Sequence, residues 1–223
     1  MSEKRVIKSY VLRAGRMSTG QKAAYDKLKD VHCIPYDEKP IDFKRIFPDL
    51  DDFFLEIGFG MGDVTHAIAE ENPQKGYIGI EVHKPGVGKL LAEIEKKGLK
   101  NLKAIEHDAV EVLRNMIPDG SLSGIHVFFP DPWHKKKHNK RRLIQPELTS
   151  LLAAKLKRGG YLYAVSDWED YAEQILDVFS GEKSLKNKYE GWAEPQEWRS
   201  QTKFERKGLK KDHLIREVFF EKI

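Results

Sequence analysis

The sequence predicts an α/β fold, one doubly wound and mostly parallel sheet, on three observations. Short apolar runs alternate with helix-period segments from residue 53 to near the C-terminus. Some runs, such as Ile125 to Phe129, are almost wholly apolar, which suits strands covered on both faces. Three successive runs end in or beside an acid, and open α/β sheets place their chemistry at such strand ends. At 223 residues the chain suits one domain with a real core.

Residues 1–50 read as a polar, basic arm packed on a single domain of residues 51–223, with turn signals at Pro35, Pro40 and Pro48. Ser18 to Leu28 suits a short helix capped by Ser18 or Thr19. The first strand, Phe53 to Ile57, runs into Gly58-Phe59-Gly60-Met61-Gly62. Asp63 is expected to cap the helix that carries Val64, Ala67 and Ile68, and Asn72-Pro73 to end it. A glycine-rich strand-to-helix turn brings backbone N–H groups close to a ligand. Here Asp63 stands where the dinucleotide motif needs its last glycine, and an acid there opposes a pyrophosphate. The turn suits a ligand without phosphate and with cationic groups.

Tyr77 to Glu81 is the second strand, its acid 23 residues after Gly58, about where a carboxylate accepts from ribose hydroxyls. A helix with Val87, Leu90, Leu91 and Ile94 follows and closes at Gly98. The third strand, Leu102 to Glu106, leads to Asp108, either an acceptor for an adenine amino group or the N-cap of the next helix. After the fourth strand, Ile125 to Phe129, Pro146 opens a helix through Leu156 that Gly159-Gly160 is expected to end. Tyr161 to Val165 is the fifth strand, followed by Asp167, a ligand group or a helix cap. A helix with Tyr171, Ile175 and Phe179, a polar loop, and a last strand from Leu214 to Glu221 complete the chain.

The stretch from Phe128 to Arg142 concentrates the chemistry. Pro130 and Pro132 stop the fourth strand and leave Asp131 and Trp133 at its carboxyl end. Six Lys or Arg then follow within Lys135 to Arg142. Formal net charge is +4, from 39 basic and 35 acidic residues, and without that run the balance is 33 to 35. The basic character is therefore local, as in a patch for a polyanion. Trp133 either anchors the turn or stacks on a base, and His134 and His138 read as solvated or phosphate-proximal. Cys33, the only cysteine, permits no intrachain disulfide and no cysteine zinc cluster, and no metal site is expected. The basic start lacks an apolar signal region and nothing approaches a membrane span, so a cytoplasmic protein is expected.

Glu56 to Gly62, Gly79-Ile-Glu-Val-His83, Phe129 to Arg142, Thr202-Lys-Phe-Glu205 and Arg13-Ala-Gly-Arg16 together resemble the bacterial tRNA (guanine-N7-)-methyltransferases. These are class I S-adenosylmethionine-dependent enzymes. The resemblance implies a Rossmann-like methyltransferase sheet with an antiparallel C-terminal strand. It implies methyl transfer from S-adenosyl-L-methionine to N7 of a guanine in the variable loop of tRNA. By motif, Glu56, Gly58, Gly60, Glu81, Asp108 and Asp131 are expected at the cofactor, with Asp131 also the catalytic residue. Lys135, Asp167, Thr202, Lys203, Phe204 and Glu205 are expected at the substrate, and Lys137, His138, Asn139, Lys140, Arg141 and Arg142 on RNA. Arg199-Ser200-Gln201 stands where the family usually has a Pro before its Thr-x-Phe-Glu motif.

Guanine N7 has an in-plane lone pair and no proton, so the expected chemistry needs alignment rather than a general base. Two rivals are a methyltransferase of another RNA or protein and a non-catalytic RNA-binding module of the same fold. Partner tRNA, no membrane, and a monomer or homodimer complete the expectations.

Overall fold

The computed structural model describes residues 8–11, 15–199 and 214–223. Ser18 caps α1 (Thr19–His32) through a capping box with Gln21, so the helix runs four residues past the expected Leu28. A short α2 (Phe43–Ile46), not foreseen, is capped by Asp42 and delivers Phe43 and Phe47 to the core. Then follow β1 (Phe53–Ile57), α3 (Asp63–Glu71), β2 (Gly76–Glu81), α4 (Lys84–Lys97), β3 (Leu102–Glu106), α5 (Ala109–Asn115) and β4 (Leu122–Phe128). The second half holds α6 (Pro146–Lys155), β5 (Leu156–Ser166), α7 (Glu169–Ser180), β6 (Leu185–Asn187) and β7 (Arg216–Lys222).

The described strands form one seven-stranded sheet in the order β3-β2-β1-β4-β5-β7-β6. β1 to β5 pair in parallel, and β7 runs antiparallel between β5 and β6. The predicted fold class, with its antiparallel C-terminal strand, is the one observed. Alternate residues of each strand feed two cores. Leu55, Ile78, Ile80, Leu162 and Val218 pack with α2, α5, α6 and α7. Phe54, Tyr77, Tyr163 and Phe219 pack with α1, α3 and α4. That split is what a period of two along a strand requires when helices cover both faces.

Two expectations change. Asp63 does not cap α3: Gly62, at φ 73°, occupies the cap, and Asp63 in the first turn pairs with Lys89. Gly159-Gly160 does not end α6, which stops at Lys155 because Leu156 already pairs with Leu122 of β4. The glycines lie in the irregular stretch of β5 before pairing resumes at Tyr161. A Cβ on Gly160 would approach the Leu122 carbonyl to 2.9 Å, so only glycine fits there.

Candidate active site

Strand order reverses between β1 and β4, and β1 and β4 pair in parallel, so their carboxyl ends open a crevice side by side. A cavity of about 280 Å³ lies there. Its wall includes Gly58 and Gly60 after β1, Glu81 at the end of β2, Asp108 after β3, Phe128 at the end of β4 and Phe129 to Asp131 after it. Of the six residues expected at the cofactor, five line this cavity.

The glycine turn follows from its backbone. Gly58, Gly60 and Gly62 all have positive φ, the region where a side chain is strained. The Gly58 N–H donates to the Ile80 carbonyl at 2.8 Å, tying the turn to β2. A Cβ on Gly58 or Gly60 would meet nothing within 4 Å, whereas one on Gly62 would strike Leu90. The first two positions are therefore glycine for conformation, and the third also for space.

Glu81 is built into that turn. Its Oε2 accepts the Gly60 N–H at 2.8 Å, and its Oε1 accepts those of Val82 and His83 at 2.7 and 3.0 Å. A carboxylate oxygen has further lone pairs, so Glu81 still has room for hydroxyl donors. Asp108 caps α5 through the Val110 N–H at 2.9 Å, one of the two roles the sequence left open, and it also lines the cavity. Glu56 is not in the wall. It lies beneath, 6% exposed, its carboxyl pushed up to about 7 by burial. The Thr65 hydroxyl draws that value back and the charge of Glu81 adds to it.

Asp131 is exposed at the cavity edge, on a turn bracketed by two residues in the left-handed region, Phe129 and Trp133, each at φ 50°. Non-glycine residues there cost roughly 1–3 kcal/mol each and persist only where neighbours impose them. The neighbours are identifiable. Phe129 N–H donates to the Val165 carbonyl at 2.8 Å, and the Trp133 indole donates to the Ser9 carbonyl at 3.0 Å. Trp133 is thus an anchor, one of its two expected roles.

The basic run divides in two. Lys135, Lys136, Lys137 and Lys140 are exposed and form no ion pair among the described residues. Lys136–Arg141 is a 3₁₀ helix, with the half-buried His138 edge-on to Trp133 at 6.0 Å. Asn139 is half-buried, its carbonyl accepting from Gln145. Arg141 stacks on Trp133, 3.8 Å from the ring centroid, and donates to the Lys8 and Tyr10 carbonyls at 3.2 and 3.1 Å. Arg142, expected on RNA, is instead only 3% exposed and bonded to the protein's own groups. A buried guanidinium held by three partners of the protein itself cannot face a phosphate without leaving them.

Lys8 to Val11 form a strap over the cavity. Ser9 and Tyr10 line its outer side, and Lys8 pairs with Asp108 at 3.4 Å while donating to the Tyr10 hydroxyl. No local pattern in the sequence foretold this, because the strap's partners Trp133 and Arg141 lie more than 120 residues away. His107 was also missed; it lines the cavity, stacked on Tyr36 at 3.7 Å and paired with Glu111 at 2.6 Å. Asp167 follows β5 and is half-buried, and β5 pairs in parallel with β4, the strand that leads to Asp131. Thr202, Lys203, Phe204 and Glu205 lie outside the described residues.

The wall fits the cofactor class that the sequence implies. Three carboxylates, Glu81, Asp108 and Asp131, beside an open glycine turn favour a ligand with hydroxyl, amine and cationic groups over a phosphate. Among the described residues no His, Cys, Asp or Glu group could hold a metal, and no helix is long and apolar enough to cross a membrane.

Residues 51–218 match a family described as "Putative methyltransferase". The chain is 52% identical to a tRNA (guanine-N(7)-)-methyltransferase of Francisella philomiragia over 98% of this chain and 96% of the relative. A protein of the same name from Chromobacterium violaceum is 52% identical, covering 97% and 96%. Among solved structures, the 16S rRNA methyltransferase KamB superposes with a TM-score of 0.61 at 17% identity, covering 86% of this chain and 99% of that one. At that identity the likeness concerns the fold.

Proposed function

Since the chain belongs to the tRNA (guanine-N7-)-methyltransferase family, we propose that its cavity and the Asp131 turn form one active site. The protein transfers a methyl group to N7 of guanine in tRNA. S-adenosyl-L-methionine supplies the methyl group when bound. The observation that carries the site assignment is the position of Asp131, on a strained turn at the rim of a cavity walled by Glu81 and Asp108.

In this reading Glu81 accepts from the ribose hydroxyls and Asp108 from the adenine amino group, while Gly58 and Gly60 let backbone approach the ligand. Glu56 lies buried in β1 just before the glycine turn. Asp131 borders the cofactor and accepts from the N–H groups of guanine, fixing the base so that N7 lies in line with the methyl group. Such alignment supplies roughly 7–11 kcal/mol in well-oriented reactions. The base becomes cationic as the methyl arrives, and a carboxylate in place beforehand favours that charge.

Lys135, Asp167 and residues 202–205 meet the nucleotide, and Lys137, His138, Asn139 and Lys140 meet RNA phosphates, with Arg141 between strap and RNA. The division into a basic arm over 1–50 and a catalytic domain over 51–223 belongs to the proposal, although Phe43 and Phe47 pack within the core. Transfer of labelled methyl to unmodified tRNA, followed by nucleoside analysis, tests the whole: the label is expected in N7-methylguanosine. Label in another nucleoside or in protein would favour one of the rivals, and absence of turnover with cofactor bound would favour the other.

A further inference from the structure

We infer that Arg142 is a positioning residue for Asp131, holding the reaction-centre turn from behind rather than binding RNA. The inference rests on the assignment of Asp131 to the reaction centre. Arg142 follows the basic run in sequence but points inward. Its Nε–H donates to the carbonyl of Pro132, the residue after Asp131, at 2.9 Å. Its Nη1 donates to Gln174 Oε1 at 2.7 Å, and its Nη2 pairs with Asp170. The guanidinium lies 4.8 Å from the centroid of the Tyr171 ring.

Asp170, Tyr171 and Gln174 all belong to α7, which grips the following residues too. Ile144 donates its N–H to the Tyr171 hydroxyl at 3.0 Å, and its carbonyl accepts from Gln174 at 3.0 Å. α7 thereby fixes the guanidinium, and the guanidinium fixes Pro132. The turn needs such a hold. Two proline residues flank Asp131 and contribute no N–H, and Phe129 and Trp133 keep unfavourable dihedrals. The planar fork of an arginine meets three partners in three directions at once, which a lysine ammonium cannot reproduce.

Steady-state kinetics with tRNA and saturating cofactor decide the matter. Arg142→Lys is expected to lower kcat by about 10²-fold, the loss that a displacement of about 1 Å brings, with KM for tRNA and the salt dependence of binding held. Asp170→Asn, altering an exposed partner on the helix surface, is expected to move kcat in the same direction by a smaller factor. In an Asp131→Ala background, Arg142→Lys is expected to add no further loss, because the group it positions is gone. Should Arg142→Lys fail to fold, Asp170→Asn alone and in that background carries the same comparison.

A wild-type kcat for both Arg142→Lys and Asp170→Asn, with Asp131→Ala impaired, would overturn this inference alone. So would losses that multiply with Asp131→Ala, or a weaker, less salt-dependent grip on tRNA at unchanged kcat, the signature of a phosphate contact. A wild-type kcat for Asp131→Ala would remove the active-site reading itself.

Discussion

The carboxylate of Glu81 accepts the Gly60 N–H at 2.8 Å, so the acid at the end of β2 holds the turn that follows β1. In the proposed site, ribose binding and turn geometry would share one side chain. Glu81→Ala is expected to weaken S-adenosylmethionine binding by about 1–3 kcal/mol, the scale of lost hydrogen bonds to a charged group. Calorimetry without RNA measures it, and unchanged affinity would end the ribose assignment.

Asp131 lies exposed on its turn, and its side chain forms no hydrogen bond among the described residues. Asp131→Ala is expected to keep its unfolding midpoint and cofactor affinity while kcat falls by about 10²–10³-fold, as when one group aimed at developing charge is removed. Single-turnover rates with calorimetry on the same sample check both halves. Near wild-type turnover would make Asp131 a turn residue.

Lys136, Lys137 and Lys140 present their charges to solvent, whereas Arg141 and Arg142 do not present theirs freely. Changing the three lysines to alanine is expected to weaken tRNA binding and to flatten its salt dependence by about 0.7–0.9 log units per lost phosphate contact. Cofactor affinity and the identity of the methylated nucleoside are expected to stay as they are. Titrations at several salt concentrations decide, and identical slopes would take these lysines off the RNA surface.

Two buried groups give opposing pH dependences to the ligand-free protein. His126 is 2% exposed, and burial, with a smaller push from Lys75, lowers its pKa from 6.5 to about 3. The unfolded chain binds the extra proton between those values, so stability rises with pH across them, by up to about 1.4 kcal/mol per unit. Glu56 is raised from 4.5 to about 7, so its contribution is full below 4.5 and is lost as pH rises through about 7. The slopes offset each other between about 4.5 and 6.5. Glu56→Gln removes one of them, and its stability is expected to keep climbing to about pH 6.5. Urea unfolding at stepped pH measures this; a variant profile parallel to the wild type would contradict the burial assigned to Glu56.

The fold was legible because its cues are local. Buried runs such as Phe53 to Leu55, Gly98 at φ 64°, and Ser18 with Gln21 each carry their own geometry. The cavity wall was legible where each residue sits at a strand end. What escaped depended on distant partners. Arg142 looks like its cationic neighbours until α7 is folded against it, and Ser9 and Tyr10 have no signature without Trp133 and Arg141. β6, three residues long, exists only because β7 is beside it. Gly159-Gly160 mark a close approach to β4, which resembles a helix stop when only the chain order is known.

The strap ties a stretch near the start of the chain to the turn after β4. Ser9 and Tyr10 line the cavity while Trp133 and Arg141 donate to the strap's carbonyls and Lys8 pairs with Asp108. Trp133→Phe, which deletes the indole N–H, therefore loosens the strap and the Asp131 turn through one bond.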